Sequence, residues 1–244
     1  VLKRTNALKM NGRVTQVVGV LVESHGPAAR IGEICEIYHS RNAGPLLAEV
    51  VGFREDRALL MPFGNLSEVG LGNEVVATGS PLKVRVGQSL LGRVLDGLGR
   101  PLDGKGPLDF EAEVSVLGSP PHPLSRRRIK EPLAVGVRAL DGLLTLGSGQ
   151  RVGIFAGSGV GKSTLLGMIA RNTAADVNVI ALIGERGREV RDFLEKDLGE
   201  AGLRRSVVVV ATSDQVAVAR LRGAQVASSI AEYFRDCGLN VMLM

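Results

Sequence analysis

The stretch IFAGSGVGKSTLLGMIA, residues 154–170, decides the fold, because an apolar run leads through a glycine-rich turn into an amphipathic segment. Its centre fits the phosphate-binding pattern G-x-x-x-x-G-K-[ST], with Ala156 where the strict pattern has glycine. Gly157, Gly159 and Gly161 allow backbone torsions that turn N–H groups toward phosphate oxygens at a helix N-terminus. The stretch therefore predicts a phosphate site between a strand and a helix.

The predicted phosphate-binding residues form one continuous run. Within it, Lys162 supplies a point charge for the terminal phosphates, and Ser163 supplies a hydroxyl for Mg²⁺. The run consists of Gly157, Ser158, Gly159, Val160, Gly161, Lys162, Ser163 and Thr164.

From about Gln150 onward, apolar runs alternate with long amphipathic segments. We expect strands at 151–155, 178–183, 206–211 and 240–244, with helices beginning near residues 162, 189 and 215. This alternation predicts a parallel sheet covered by helices, and ligands of such sheets bind at the carboxyl ends of the strands.

The chain before this region has a different pattern of apolar and turn-forming residues. From Gly12 to about Gly79, short β-rich runs are broken by Gly, Asn and Pro, which predicts a small antiparallel barrel. The following stretch contains LDGLGRPLDGKGPLD and GSPPHPLSRRRIKEP, whose Gly and Pro content is typical of connecting structure. We therefore expect a barrel domain at 1–80, a connecting segment at 81–130 packed on the next domain, and a nucleotide-binding domain at 131–244.

Two charged residues follow the predicted strand 178–183. In LIGERGREV, Glu185 and Arg186 lie just past its carboxyl end, at the edge where the glycine turn also lies. A carboxylate there could activate water, and an arginine could offset charge on a terminal phosphate. A solvated loop at a helix start explains the same residues, because glutamate is favoured at that position by the helix dipole. Taken alone, the two interpretations are equally supported.

Composition excludes several classes of protein. Of the 244 residues, 45% are hydrophobic, enough to fill real cores. The longest uncharged apolar runs are of strand length, and the basic N-terminal segment lacks the features of a secretory signal. The chain starts without Met, which suggests trimming. Cys35 and Cys237 lack metal-site spacing, and we expect both to be buried, unreactive thiols.

The net charge of +5 permits contact with nucleic acid or acidic lipid without requiring it. The basic run SRRRIK, which ends at Lys130, lies between Pro-rich turns and has no neighbouring aromatic residue. We interpret it as a solvated linker, and we expect no nucleic-acid partner.

Four stretches together carry a family resemblance: RVLDGLGRPLDGKGPL, VGVRALDGLLTLGSGQRVGIFAGSGVGKSTL, ALIGERGREV and IAEYFRDCGLNVMLM. They resemble the catalytic subunits of rotary ATP synthases and, more closely, their protein-export relatives. GRVTQVVGVLVESHGPAARIGEIC and AGSGVGKSTLLGMIAR are most similar to the flagellum-specific type III export ATPases. The similarity covers nearly the whole chain, in the right order. It implies an N-terminal β-barrel followed by a RecA-like, ATP-binding P-loop domain with a mostly parallel sheet.

Carried over by position, the resemblance implies an ATPase with ATP and Mg²⁺ at its site. Lys162 is then the phosphate lysine, Ser163 the magnesium ligand, Glu185 the base for the attacking water, and Arg186 a partner of the terminal phosphate. The family's magnesium-associated acidic residue, adenine contact, arginine finger and C-terminal helical domain would all lie beyond Met244. For the fragment alone, we expect apolar surface to remain exposed and ATP turnover to stay near background.

The resemblance also implies partners and a location. The family works as a homo-hexamer in the cytoplasm, peripheral to the inner face of the bacterial membrane at the export gate. Its partners are the flagellar export apparatus, stator-like regulator and stalk proteins, export substrates and their chaperones. Three alternatives stay open: an ATPase of a virulence injectisome, a non-catalytic nucleotide-binding ring subunit, and a nucleic-acid translocase. An amide in place of Glu185 would indicate the non-catalytic subunit.

Overall fold

The computed structural model describes residues 11–39, 44–157 and 159–244. The chain divides into two compact units, Val1–Lys83 with Val216–Val218, and Val84–Gln215 with Ala219–Met244. The predicted domain boundaries near residues 80 and 130 stay a prediction.

The first unit is a closed barrel of six strands in the order β1-β2-β5-β4-β3-β6, with antiparallel pairing throughout. This confirms the barrel predicted from the short β-rich runs. The strands are β1 (Gly12–Val18), β2 (Leu21–His25), β3 (Glu33–Tyr38), β4 (Leu46–Arg54), β5 (Arg57–Pro62) and β6 (Glu74–Pro81).

The barrel closes around small and β-branched side chains that alternate along its strands. Its buried core consists of Val14, Val22, Cys35, Ile37, Ala48, Val50, Ala58, Leu60 and Val75. The closing pair, β1 with β6, is short: only Gly12↔Val75 and Arg13↔Glu74 are in ladder register. Gly12 also lies against the backbone of Gly26, where a Cβ would be 2.0 Å from the Gly26 carbonyl oxygen. No residue larger than glycine fits at position 12 without moving this backbone.

Two short strands, β7 (Lys83–Val86) and β9 (Ala112–Ser115), form a separate two-stranded sheet. A backbone hydrogen bond from Glu111 N to Val86 O, 2.8 Å, and an ion pair between Arg85 and Glu113, 3.3 Å, lie beside this pairing.

The second unit is built on a four-stranded sheet in the order β12-β10-β11-β8, with all neighbours parallel. Its strands are β8 (Val94–Asp96), β10 (Val177–Ile183), β11 (Ser206–Ala211) and β12 (Val241–Leu243). The parallel sheet confirms the predicted α/β architecture. Strand β8 is a finding that the sequence analysis missed, because Val94–Asp96 lies in the stretch interpreted as connecting structure.

Helices begin within two residues of the predicted starts near 162, 189 and 215. The helices are α1 (Lys162–Asn172), α2 (Gly187–Asp192), α3 (Gly199–Arg204) and α4 (Ala217–Asp236), and a wider helical segment, Phe193–Leu198, joins α2 to α3. Helix α1 packs closely on this wider segment, where a Cβ at Gly167 would be 2.5 Å from the Asp197 carbonyl oxygen. None of the helices in the described part of the chain is long and apolar enough to cross a membrane.

The strand predicted at 151–155 is wrong. Residues 151–157 form no regular structure, and Val152, Ile154 and Phe155 are exposed, Phe155 by 97%. A strand depends on backbone hydrogen bonds to a neighbouring strand, and within the described ranges no strand pairs with this run. Residues 151–155 therefore have the apolar composition of a buried strand, but in the described ranges they have no neighbouring strand to pair with.

The prediction for the cysteines holds for only one of them. Cys35 is fully buried in the barrel core, and burial raises its pKa to about 12, with the nearby charge of Glu33 adding to the shift. Cys237 is exposed, because it follows the end of α4 at Asp236.

Candidate nucleotide-binding site

The glycine turn leads directly into helix α1. Gly159 has φ 76° and Gly161 has φ 93°, torsions that strain any residue with a Cβ. Gly161 is the N-cap of α1, and no side chain caps the helix there. The first-turn N–H groups thus point out of the helix end without a capping side chain, as an anion site requires.

The rest of the predicted phosphate run surrounds this helix start. Lys162 is the first residue of α1 and is partly buried, whereas Ser163 and Thr164 are exposed in its first turn. Gly157 and Val160 are also exposed, and Ser158 lies outside the described residues.

Glu185 reaches the same edge of the sheet from strand β10. Gly184 follows the last residue of β10 and has φ 78°. Its N–H donates to the Ala211 carbonyl at 2.7 Å. The Ser213 N–H then donates to the Glu185 carbonyl at 3.0 Å. These two bonds attach the loop after β10 to the end of β11, so the main chain of Glu185 is fixed.

The structure brings Lys162 and Glu185 together. Nζ of Lys162 lies 3.1 Å from Oε1 of Glu185, and the two side chains are 41% and 32% exposed. A cation and a carboxylate thus share one partly open position at the mouth of the glycine turn. This arrangement can hold a phosphate and present a proton acceptor beside it.

Arg186 is placed differently. It is exposed, and its Nη1 lies 3.6 Å from Oε1 of Glu189, one helical turn further along. Arg186 is also the N-cap of α2. Its guanidinium is therefore paired with Glu189 in an exposed ion pair, which contributes little to stability.

Asn178 is a buried polar residue whose role the sequence analysis missed. Its Nδ2 donates to the Ala170 carbonyl at 2.8 Å and to Oγ of Ser206 at 3.2 Å, and Ser206 donates to the Gly202 carbonyl at 2.6 Å. These bonds connect β10 to the last turn of α1 and to α3. The signal was a lone asparagine inside the apolar run VNVIALIG, where a buried amide requires partners.

A further set of hydrogen bonds that positions helix α1 lies before the glycine turn in the sequence. Asp141 accepts hydrogen bonds from the N–H groups of Val135 and Gly136, at 2.8 and 2.9 Å. Gly136 has φ 72° and lies against the end of α1, where a Cβ would be 2.2 Å from Cβ of Asn172. The carboxylate therefore holds a tight turn against the helix that carries Lys162.

These residues fit the groups that the sequence analysis expects. The uncapped start of α1 suits phosphate oxygens, and the exposed Ser163 hydroxyl suits a magnesium ion that takes most of its ligands from phosphate and water. In the described part of the chain, no group of three or more His, Cys, Asp or Glu side chains could hold a metal by itself.

Comparison with known proteins matches both halves of the chain to one family. Residues 14–79 match the beta-barrel domain of the ATP synthase alpha/beta family, and residues 136–244 match its nucleotide-binding domain. The two matched ranges contain most of the six-stranded barrel, the glycine turn, and strands β10, β11 and β12 of the parallel sheet.

Relatives with similar sequences carry two kinds of name. The chain is 56% identical, over all of its 244 residues, to the flagellum-specific ATP synthase of Bacillus subtilis. It is 54% identical, over 96% of its length, to the type 3 secretion system ATPase of Xanthomonas euvesicatoria. The chain spans 56% and 53% of these two proteins, slightly more than half of each.

Solved structures show the same similarity in three dimensions. The assembled ATPase EscN of the enteropathogenic E. coli type III secretion system superposes with a TM-score of 0.86 at 47% identity. EscN in complex with its central stalk EscO gives a TM-score of 0.87. In both comparisons 96% of the present chain is covered, and 56% of the EscN chain.

Proposed function

This chain belongs to the ATP synthase alpha/beta family, and from that membership we propose that it forms the nucleotide-binding part of an ATPase that drives protein export. The protein hydrolyses the terminal phosphate of ATP, with Mg²⁺ as cofactor. One observation carries the proposal: the 3.1 Å approach of Lys162 to Glu185 at the mouth of an uncapped, glycine-rich helix start.

In this mechanism the chain binds the phosphates chiefly through its backbone. N–H groups of the run from Gly157 to Thr164 surround the phosphate oxygens, and Lys162 adds a positive charge at the terminal phosphates. The Ser163 hydroxyl would hold a magnesium ion, which would supply positive charge beside the phosphate oxygens.

Glu185 is the proton acceptor for the attacking water. A positioned carboxylate accelerates such a proton transfer by roughly 10²- to 10⁴-fold. Arg186, at the same rim, turns from Glu189 toward the terminal phosphate and offsets the charge that develops during transfer. The carboxylate at position 185 favours a catalytic subunit over a non-catalytic one, because an amide cannot accept the proton.

We assign the energy of hydrolysis to protein export through a flagellar type III apparatus. The names of the Bacillus and Xanthomonas relatives support export, and they support flagellar and injectisome systems almost equally, at 56% and 54% identity. The injectisome is therefore the second candidate.

The proposed assembly is a homo-hexamer in the cytoplasm, peripheral to the membrane export gate. The EscN structures support an assembled ATPase with a stalk protein, since EscN is described as assembled and in complex with its central stalk. Stator-like regulators, export substrates and chaperones complete the proposed set of partners, and nucleic acid is not among them.

The decisive experiment is Glu185→Gln in the complete protein. The amide keeps the shape of the side chain and removes the base, so we expect nucleotide binding to persist and hydrolysis to fall by at least 100-fold. Glu195→Gln is the matched control, because Glu195 is exposed and forms its ion pair with Arg191, at 2.8 Å. Turnover near wild type in Glu185→Gln would refute the assignment of the base.

The export system is tested in cells. Replacing the gene with the Glu185→Gln allele should abolish either flagellar assembly or effector secretion, and the process lost identifies the system. A strain that keeps both processes would contradict the export function.

A further inference from the structure

The ion pair between Lys162 and Glu185 joins two groups to which the proposed mechanism gives separate tasks. Lys162 is to hold a phosphate, and Glu185 is to accept a proton from water. Nζ and Oε1 are nevertheless 3.1 Å apart, within hydrogen-bonding distance. A carboxylate lone pair that accepts a bond from an ammonium group is less available to a water proton.

The surroundings of the pair allow its partners to change. Both side chains are partly exposed, at 41% and 32%, so neither is locked in place by packing. The backbone of Glu185 is held by Ser213, as described above, so only side-chain rotation is needed to separate the two groups. The lysine ammonium is a compact charge on a flexible stem that can turn from one anion to another.

We propose that Glu185 competes with the terminal phosphate for Lys162, so that binding of the nucleotide transfers the lysine from the carboxylate to the phosphate and frees the base. This inference rests on the proposed function and deepens it. Glu185 thereby acts twice: it weakens nucleotide binding, and it becomes a full proton acceptor only in the loaded site. The energy of phosphate binding is partly spent on releasing the catalytic group.

The expected size of the effect follows from the exposure of the pair. Partly exposed ion pairs contribute modestly, so removing the competing carboxylate should tighten nucleotide binding by roughly two- to fivefold. The gain should shrink as salt is added, because salt screens exposed charges.

The test measures dissociation constants for ADP and for a non-hydrolysable ATP analogue, both with Mg²⁺, in the complete protein. Glu185→Gln should bind both ligands two- to fivefold more tightly at low salt. Glu185→Ala should do the same, because it also removes the competing carboxylate and introduces no amide. Thermal melting of each variant checks that it is folded.

Asp214→Asn is the matched control, because it removes one negative charge beside Ser213 on the same rim. Asp214 bonds to Thr212, and Asn preserves the shape of that side chain. We expect its affinity to equal that of the wild type. If Asp214→Asn tightens binding as much as Glu185→Gln, the effect is long-range electrostatics and the competition is refuted.

A second variant tests whether Lys162 is the group in competition. In a Lys162→Gln background, binding is measured at higher nucleotide concentration, and adding Glu185→Gln should give no further gain. A Glu185→Gln variant that binds no tighter than wild type overturns the inference and leaves the proposed function standing. A wild-type protein that binds no nucleotide overturns the proposed function itself.

Discussion

The Arg93 guanidinium donates hydrogen bonds to both carboxylate oxygens of Asp103, from Nε to Oδ2 at 2.7 Å and from Nη2 to Oδ1 at 3.0 Å. The side chains are only 11% and 8% exposed. Asp103 also accepts bonds from the N–H groups of Val94 and Lys105, each at 3.1 Å. This pair anchors the loop at residues 97–106 to the start of β8, at the edge of the sheet that carries the nucleotide site.

Asp103→Asn should destabilise the second unit. The change leaves the buried Arg93 charge without its partner, so we expect a loss of about 3 kcal/mol in the free energy of unfolding. Glu113→Gln is the control, because its pair with Arg85 is exposed and should contribute less than about 1 kcal/mol. Urea denaturation of both variants measures the difference, and equal losses would contradict the argument.

The same carboxylate should make stability depend on acid pH. Burial raises the pKa of Asp103, but the hydrogen bonds from Arg93, Val94 and Lys105 outweigh burial and lower it from 3.8 to about 2. Because the folded pKa is depressed, this contribution is complete above pH 3.8 and is lost as the pH falls toward 2. It amounts to about 2 kcal/mol.

Denaturation curves between pH 5 and pH 2.5 check this expectation. The stability gap between wild type and Asp103→Asn should be constant above about pH 4 and should narrow steadily below it. A gap of constant size down to pH 2.5 would show that Asp103 titrates alike in the folded and unfolded chains.

Lys162→Ala should weaken nucleotide binding by about 10- to 100-fold, because the terminal phosphates lose a charge-assisted hydrogen bond. Lys196→Ala removes the same charge from an exposed pair with Asp192, 2.6 Å apart, and should leave affinity unchanged. Equilibrium binding of a fluorescent ATP analogue to the complete protein measures both variants. Wild-type affinity in Lys162→Ala would place the phosphates elsewhere.

Gly161→Ala should weaken nucleotide binding by roughly tenfold. A Cβ at φ 93° costs about 1–2 kcal/mol, and the turn can avoid that cost only by changing the direction of its N–H groups. Gly142→Ala is the control, since Gly142 has open space around its Cβ position and no positive φ. Similar affinities for the two variants would indicate that the turn tolerates a side chain.

The sequence was sufficient to predict helices, whose backbone hydrogen bonds lie within the element, and strands whose residues follow a recognisable local pattern. The barrel strands are short β-rich runs bounded by Gly, Asn and Pro, and α1 follows directly from the glycine turn, so both are visible locally. Strand β8 was missed because Val94–Asp96 is three residues long and becomes a strand only through pairing with β11. The strand predicted at 151–155 failed for the converse reason, since its apolar residues have no pairing partner among the described strands.

The same distinction between local features and long-range contacts applies to the candidate site. The glycine run and Lys162 are adjacent in sequence, so their chemistry could be interpreted as one motif. The approach of Lys162 to Glu185 depends on how α1 packs on β10, which Asn178 and Gly167 help to set through contacts distant in sequence. Motif spacing placed both residues at one edge of the sheet, but no local pattern fixes their separation.

Because the β1–β6 ladder that closes the barrel is short, the backbone amides along it should exchange with solvent first. Strands β1 and β6 share two register pairs, whereas β3 and β4 share four, so the β1–β6 ladder is the shortest around the barrel. Two backbone hydrogen bonds continue this contact before β6, from Val14 N–H to the Asn73 carbonyl at 2.9 Å and from Gly72 N–H to the Val14 carbonyl at 2.8 Å. Local opening begins where the fewest hydrogen bonds must break. In hydrogen–deuterium exchange, the amides of Val14 and Val75 should therefore lose protection before those of Ala48 and Cys35, although all four residues belong to one core.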